Sequence, residues 1–222
     1  MTVRSYDCLV TNGDSIVPKD TFYNLPADKR DLICQVAIAE FAEYEYELAS
    51  INRIVNKAGI SKGSFYQYFE NKKELYLYLL QLGAEEKVNY ISPIMGNPDE
   101  HDIFTLLREM YISGIRFAEE HPDYAEISSK LLRNKDGPIY KEAVATILPA
   151  AYGFFELLLE AAIARGEVRA DIDVKMFAFI IASMSTVVVE YYIKNVAQSY
   201  DENMMAGFDK YIDFLKNGIG RR

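Results

Sequence analysis

Cysteine and histidine are scarce in this chain, with two of each in 222 residues. Cys8 and Cys34 are too few for a disulfide framework or a cysteine zinc site. His101 and His121 stand twenty positions apart with no cysteine near either. No metal site and no cofactor is expected, and a reducing compartment fits. Long apolar runs are missing too. The most apolar stretch, "FAFIIASMSTVVV" (Phe177 to Val189), has thirteen residues, against the ~18 that suggest a membrane span. Ser183, Ser185 and Thr186 interrupt it, and Lys175 and Glu190 flank it. Residues 1–26 do not read as a signal peptide, because Asp7 interrupts them and "CLV" is too short for an apolar segment. A soluble, cytoplasmic protein without membrane contact is expected. Strand-like alternation, internal repeats, a nucleophile elbow, a phosphate loop and metal-ligand spacing are absent as well. The chain is therefore not expected to be an enzyme.

Bases are outnumbered, 24 to 33, for a formal net charge of −9. Such a balance argues against nucleic acid for the chain as a whole, yet it can hide a local patch. From Ser50 to Lys73 there are five bases (Arg53, Lys57, Lys62, Lys72, Lys73) and one acid, Glu70. Residues 84–222 carry 15 bases and 22 acids. The charge is polarised into a basic island near the N-terminus and an acidic remainder.

What the chain does have is helical periodicity almost throughout. Residues 1–26 hold Pro18, Pro26, Asn12 and Gly13 and read as an irregular leader. From Ala27, an apolar stripe of Leu32, Ile33, Val36, Ala37 and Phe41 marks a helix, extended by Tyr44 and Leu48. Ser50 suits an N-cap for "INRIVNKA". Gly59 suits the stop after it. Ser61 can cap a second short helix, "KGSFYQYF", and Asn71 with Glu74 opens a third, longer one. Helix, glycine turn, helix is the helix-turn-helix arrangement. Further helices follow, with breaks at Pro93, Gly96 and Pro98, a start at Asp99 or Asp102, a restart at Pro122, a break from Asn134 to Pro138, a proline inside a long helix at Pro149, and a stop at Gly166.

The island has two readings. In one it is a solvated, lysine-flecked hairpin whose aromatics are core. That holds for Phe65 and Phe69, spaced i, i+4 and expected to face the first helix and Ile54. In the other it binds DNA. Ser61, Lys62, Gly63 and Ser64 crowd the second short helix's start with small or polar groups, and Gly63 lowers helix propensity by roughly 0.5–1 kcal/mol against alanine. Close approach of backbone to phosphate accounts for that choice. Tyrosine hydroxyls and lysines at the flank suit phosphate contacts, while Gln67 and Ser64 suit base edges. The pattern favours DNA.

The stretch "AIAEFAEYEYELASINRIVNKAGISKGSFYQYFENKKEL", Ala37 to Leu75, resembles the helix-turn-helix of TetR-family transcriptional repressors. The matching positions are Ala37, Phe41, Ser50-Ile51, Ile54, Ala58-Gly59-Ile60-Ser61, Gly63, Phe65-Tyr66, Tyr68-Phe69 and Lys72 through Leu75. "EEHPDYAEI" and "ARGEVRADID" resemble family phrases more weakly. Glu45 stands where the family has glycine, so the first turn is expected to differ; Val55 replaces a usual alanine, and the leader is longer than most. The resemblance implies an all-α protein with a three-helix DNA-binding domain at 27–75 and a larger helical ligand-binding and dimerisation domain at 76–222. It implies that Ser50 contacts phosphate, that Ser61, Lys62, Gly63 and Ser64 open the recognition helix in the major groove, that Tyr66, Gln67 and Tyr68 face backbone and bases, and that Lys72 or Lys73 clamps phosphate. The partner it implies is a palindromic operator read by a homodimer. Repression is the family's common mode. The alternatives are an activator on the same fold and a helical small-molecule binder that has lost DNA binding.

In the acidic remainder, the helix over 173–195 is apolar nearly all round and must be buried on more than one side. A second copy is the natural partner. The resemblance implies a dimer interface of the last two helices, with Met184, Val188, Tyr191, Met204, Phe208, Tyr211 and Leu215 on the apolar stripes. Aromatics and methionines of the middle helices read as core, but the resemblance implies an effector pocket among such residues. Met110, Tyr111, Tyr152, Phe155, Glu156 and Phe179 are the candidates, for an aromatic or cationic small molecule.

Overall fold

The computed structural model describes residues 18–95, 101–196 and 202–220. Among them the chain is all-α. Ten helices follow in order: α1 Asp20–Tyr23, α2 Ala27–Glu43, α3 Ile51–Lys57, α4 Lys62–Tyr68, α5 Lys72–Met95, α6 Ile103–Glu120, α7 Pro122–Arg133, α8 Pro138–Ala164, α9 Val174–Asn195 and α10 Glu202–Ile219. One isolated bridge, Val168 to Gly220, is the only β pairing among the described residues. Residues 1–17 of the expected leader, and Gly96, Pro98 and Asp99, lie outside them.

Most helix ends follow their local chemistry. The Oγ of Ser50 and of Ser61 accepts from the N–H three residues on, at Arg53 and Ser64. Asn71 Oδ1 accepts from Glu74 N at 3.0 Å, and Asp102 Oδ1 from Thr105 N at 2.7 Å. Gly59 takes φ +61° and Gly166 φ +75°, the left-handed region that ends a helix. At Gly59 the main chain closes a paired stop, with Ile60 N–H donating to Val55 O and Gly59 N–H to Asn56 O. The helix carrying Pro149 continues through it to Ala164.

Two expectations for α2 need correction. The helix stops at Glu43, so Tyr44 and Leu48 do not prolong its stripe; Leu48 is exposed. Leu32 is exposed as well, and the buried face is Ile33, Ala37, Glu40 and Phe41. Tyr44 ends the helix in an extended conformation, φ −116° and ψ 148°. No residue of the α2–α3 turn takes a positive φ.

The helices pack as two compact units. One contains Ser15–Glu85 and His121–Val144. There α2 packs on α3 and α7, α3 on α4, and α1 on α4. Its core holds Phe22, Ile33, Phe41, Ile54, Phe65, Phe69, Leu75 and Leu79, each at most 2 % exposed. The other contains Glu86–Glu120 and Ala145–Arg222, with α10 packed on α6 and α9.

Candidate nucleic-acid interface

Helix α4 presents one face to solvent. Ser61, Lys62, Gly63, Tyr66 and Gln67 are exposed, and Ser64 and Tyr68 are half-buried. Phe65 and Phe69 are fully buried, as their i, i+4 spacing predicts. Ser61 and Ser64 bond each other through their hydroxyls at 2.9 Å. Gly63 needs no unusual backbone: its φ is not positive, and an added Cβ would meet only Ser61 Oγ at 3.6 Å. Among the described residues nothing requires a glycine there.

The basic island is largely occupied by its own fold. Lys72 is the clearest case. Its ammonium donates to the carbonyls of Tyr46 (2.6 Å), Glu47 (3.1 Å) and Ala49 (2.9 Å), which uses all three of its protons. It also lies over the Tyr46 ring at 4.7 Å, and burial pulls its pKa down. Lys72 ties down the α2–α3 turn, which leaves its ammonium no proton for a phosphate here; of the two expected clamps, Lys73 is the more available. Lys73 pairs with Glu142 at 2.7 Å, both half-exposed, and Lys57 lies 3.9 Å from Glu43. Surface pairs of this kind are worth about 0–1 kcal/mol and exchange readily for a phosphate. Arg53 is held by Glu40. Among the described residues, Lys62 is the one island cation without an acceptor. Lys72→Met is therefore expected to lower unfolding stability by about 1–2 kcal/mol and to leave the salt dependence of DNA binding unchanged. Urea melts and binding at three salt concentrations check both; a slope reduced by about one unit would return Lys72 to the phosphate contacts.

Ser50 is turned to the fold as well. Its N–H donates to Glu40 Oε1 at 2.8 Å, and its hydroxyl caps α3. The same Oε1 receives Arg53 Nε at 2.8 Å and lies 2.6 Å from its terminal nitrogen. Arg53 also reaches Leu48 O and stacks 4.0 Å over the Tyr44 ring. Glu40 Oε2 is buried without a partner.

The far end of α4 is held by a segment expected to be irregular. Lys19 N–H donates to Tyr68 O at 3.0 Å, its ammonium to Tyr66 O at 3.0 Å, and Thr21 Oγ1 to Gln67 O. Lys19 also pairs with Glu70 at 2.6 Å. Phe22 is fully buried, ringed by Tyr68, Phe69 and Tyr78 at 5.0–6.0 Å. Residues 18–25 are thus ordered by packing, and Tyr68 turns its ring partly toward Phe22. Sequence reading missed Lys19, Thr21 and Phe22, whose partners lie about 45 residues on. It also missed Glu40, although Glu40 stands at the buried spacing of Ile33 and Ala37.

In the second unit the expected pocket residues fall into two groups. Tyr152 and Phe179 form a ring pair at 5.2 Å, with Phe179 53 % exposed. Tyr111 stacks on Phe208 at 3.9 Å, bonds Ser185 Oγ at 2.8 Å, and has its hydroxyl pushed to about 12 by burial. Met110 and Phe155 are buried, and Glu156 is half-buried. Of the expected interface, Met204, Phe208, Tyr211 and Leu215 are buried within the single chain, where α10 meets α6 and α9. They serve the chain's own core and are closed to a partner. Tyr191 is 63 % exposed, and Met184 and Val188 are half-buried. The exposed apolar stripe on α9 is Met176, Phe179, Val187 and Tyr191, with Leu157 on α8 and Phe214 on α10 also exposed. Helices α8 and α9 are long and apolar enough to cross a membrane, and only 22 % and 28 % of their most apolar windows are buried in the chain.

Comparison with known proteins gives a consistent picture. The family model for bacterial regulatory proteins of the tetR family matches residues 33–79. A TetR family transcriptional regulator from Chloroflexus aurantiacus J-10-FL, known as a crystal structure, is 33 % identical, with 93 % of this chain and 100 % of that one aligned and a TM-score of 0.61. The probable acrEF/envCD operon repressor of Escherichia coli K12 is 26 % identical over 188 residues, 82 % of this chain and 80 % of the repressor. The fold is also that of the regulator FadR from Bacillus subtilis, solved in complex with stearoyl-CoA, at TM-score 0.67 and 21 % identity over 85 % of this chain and 98 % of that one.

Proposed function

The chain belongs to the TetR family of transcriptional regulators, and from that premise we propose that it is a ligand-responsive repressor that reads a palindromic operator as a homodimer in the cytoplasm. The observation that carries the DNA reading is the exposed face of α4. Lys62, Gly63, Tyr66 and Gln67 stand free on a helix whose opposite face, Phe65 and Phe69, is locked in the core. Lys62 and Lys73 supply the phosphate contacts, Tyr66 and Gln67 the groove contacts. Anisotropy with labelled DNA from upstream of the chain's own gene, at two salt concentrations, tests it. Saturable binding that weakens with salt is expected. Equal, weak binding to any duplex at both salts would leave a helical binding protein without operator recognition.

The dimer reading rests on the uncovered apolar surface of α8 and α9. A DNA-binding protein covers such a surface with protein, and a second copy brings the same stripe to meet its own. Replacing Val187 and Tyr191 together by aspartate is expected to yield monomers by light scattering, with the helical signal kept. A dimer that survives both changes rules this face out.

The effector reading rests on the helical body. FadR of Bacillus subtilis binds stearoyl-CoA on the same fold, which supports a small-molecule site here. Tyr152 and Phe179 form an aromatic pair, with Glu156 on the same helix as Tyr152. An effector with an aromatic or cationic part fits them. It acts by favouring the dimer state whose two α4 helices are wrongly spaced for one turn of DNA.

A further inference from the structure

Helix α4 is only seven residues long. Helices this short are marginal by themselves, and the last turn leaves carbonyls without partners. In this chain three of them, on Tyr66, Gln67 and Tyr68, are satisfied by one segment far upstream: the Lys19 ammonium, the Thr21 hydroxyl and the Lys19 N–H. The Lys19 ammonium also stands at the helix's negative end, where a cation is favoured. Phe22, fully buried against Tyr68 and Phe69, pins the segment in place.

These contacts converge on the residues whose side chains face outward. Tyr66 and Gln67 are exposed, and their own carbonyls are the ones held. From this geometry we propose that residues Pro18–Leu25 are a clasp that positions the recognition helix for its operator, with Lys19 and Thr21 as positioning residues. The proposal rests on the DNA-binding reading above. A main chain fixed at Tyr66 and Gln67 directs their side chains to one place; base readout needs that precision, while phosphate attraction does not. Releasing the clasp should therefore weaken specific binding and spare non-specific binding.

The test uses the full chain. A duplex is first enriched from a random pool with the unmodified protein. Binding to that duplex and to a scrambled one of equal length is then measured for Thr21→Val, which keeps the side-chain shape and removes the hydroxyl, and for Thr21→Ser, which restores it. Thr21→Val is expected to bind the enriched duplex about fivefold to tenfold more weakly, the scale of one lost hydrogen bond, and the scrambled duplex unchanged. Thr21→Ser should return to within about twofold of the unmodified chain. Lys19→Met, which removes the ammonium but keeps the N–H bond to Tyr68, serves as the second variant and should act like Thr21→Val. Undiminished binding of the enriched duplex by both variants, or an equal loss on both duplexes, would overturn the clasp. Enrichment of no duplex by the unmodified protein would sink the operator reading and the clasp with it, whereas enrichment followed by full binding of both variants sinks the clasp alone.

Discussion

Glu40→Ala is expected to lower the chain's unfolding free energy by about 2–3 kcal/mol, measured by urea denaturation. One carboxylate oxygen, fully buried, gathers the Ser50 N–H and two nitrogens of Arg53 within 2.6–2.8 Å. It joins the end of α2 to the start of α3, across a turn that has no glycine to shape it. Alanine leaves the Ser50 N–H without its acceptor and Arg53 without its counter-charge. Removing one partner of a wholly buried pair costs about 3–5 kcal/mol. Arg53 is 41 % exposed and can rehydrate, so the expected cost is lower. Glu40→Gln keeps an oxygen for Ser50 and Arg53, and should cost less than alanine.

The same site has a pH signature. Burial pushes the Glu40 carboxyl up, but the bonds from Arg53 and Ser50 outweigh it and hold the pKa below the usual glutamate value. A depressed folded-state pKa favours the folded chain above the unfolded value. The contribution is lost as pH falls through the folded one. Wild type should therefore lose stability on acidification in a window at and below the ordinary glutamate pKa. Glu40→Gln should lose less across that window. Parallel acid profiles for the two would show that Glu40 titrates with its ordinary pKa.

The legibility of the fold follows the range of the interactions. Caps at Ser50, Ser61, Asn71 and Asp102, and stops at Gly59 and Gly166, depend on groups within a few residues, and all are visible in the sequence. Phe65 and Phe69 were legible because i, i+4 spacing is a local property too. Roles assigned to charged side chains were not legible, because a lysine's partner is chosen by the tertiary fold. Lys72 looks in sequence like a free cation of a basic island. In the fold it faces the three carbonyls of a turn 23–26 residues earlier. The stripe Met204, Phe208, Tyr211, Leu215 shows the same limit from the apolar side. Periodicity finds the face, but whether α6 or another chain covers it is a matter of packing.

The largest functional effect is expected on the open face of α4. Tyr66→Ala and Lys62→Ala should each weaken binding to the operator by about tenfold to a hundredfold, the range of a lost base or phosphate contact at 1–3 kcal/mol, and together they should abolish it at physiological salt. The two differ in kind. Lys62 has no acceptor among the described residues, so its loss should also reduce the salt slope by about one unit on any duplex. Tyr66 is uncharged and its hydroxyl bonds nothing among the described residues, so its loss should leave the slope intact. Gly63→Ala completes the set: the chain has room for the methyl group, and helix propensity should raise stability by up to about 1 kcal/mol, yet the added carbon stands where the proposed operator contact brings DNA backbone close. A more stable, weaker-binding Gly63→Ala separates the needs of the interface from those of the fold. If Gly63→Ala binds as tightly as the unmodified chain, close approach at the start of α4 is wrong, and the groove must be met by Tyr66 and Gln67 further along the helix.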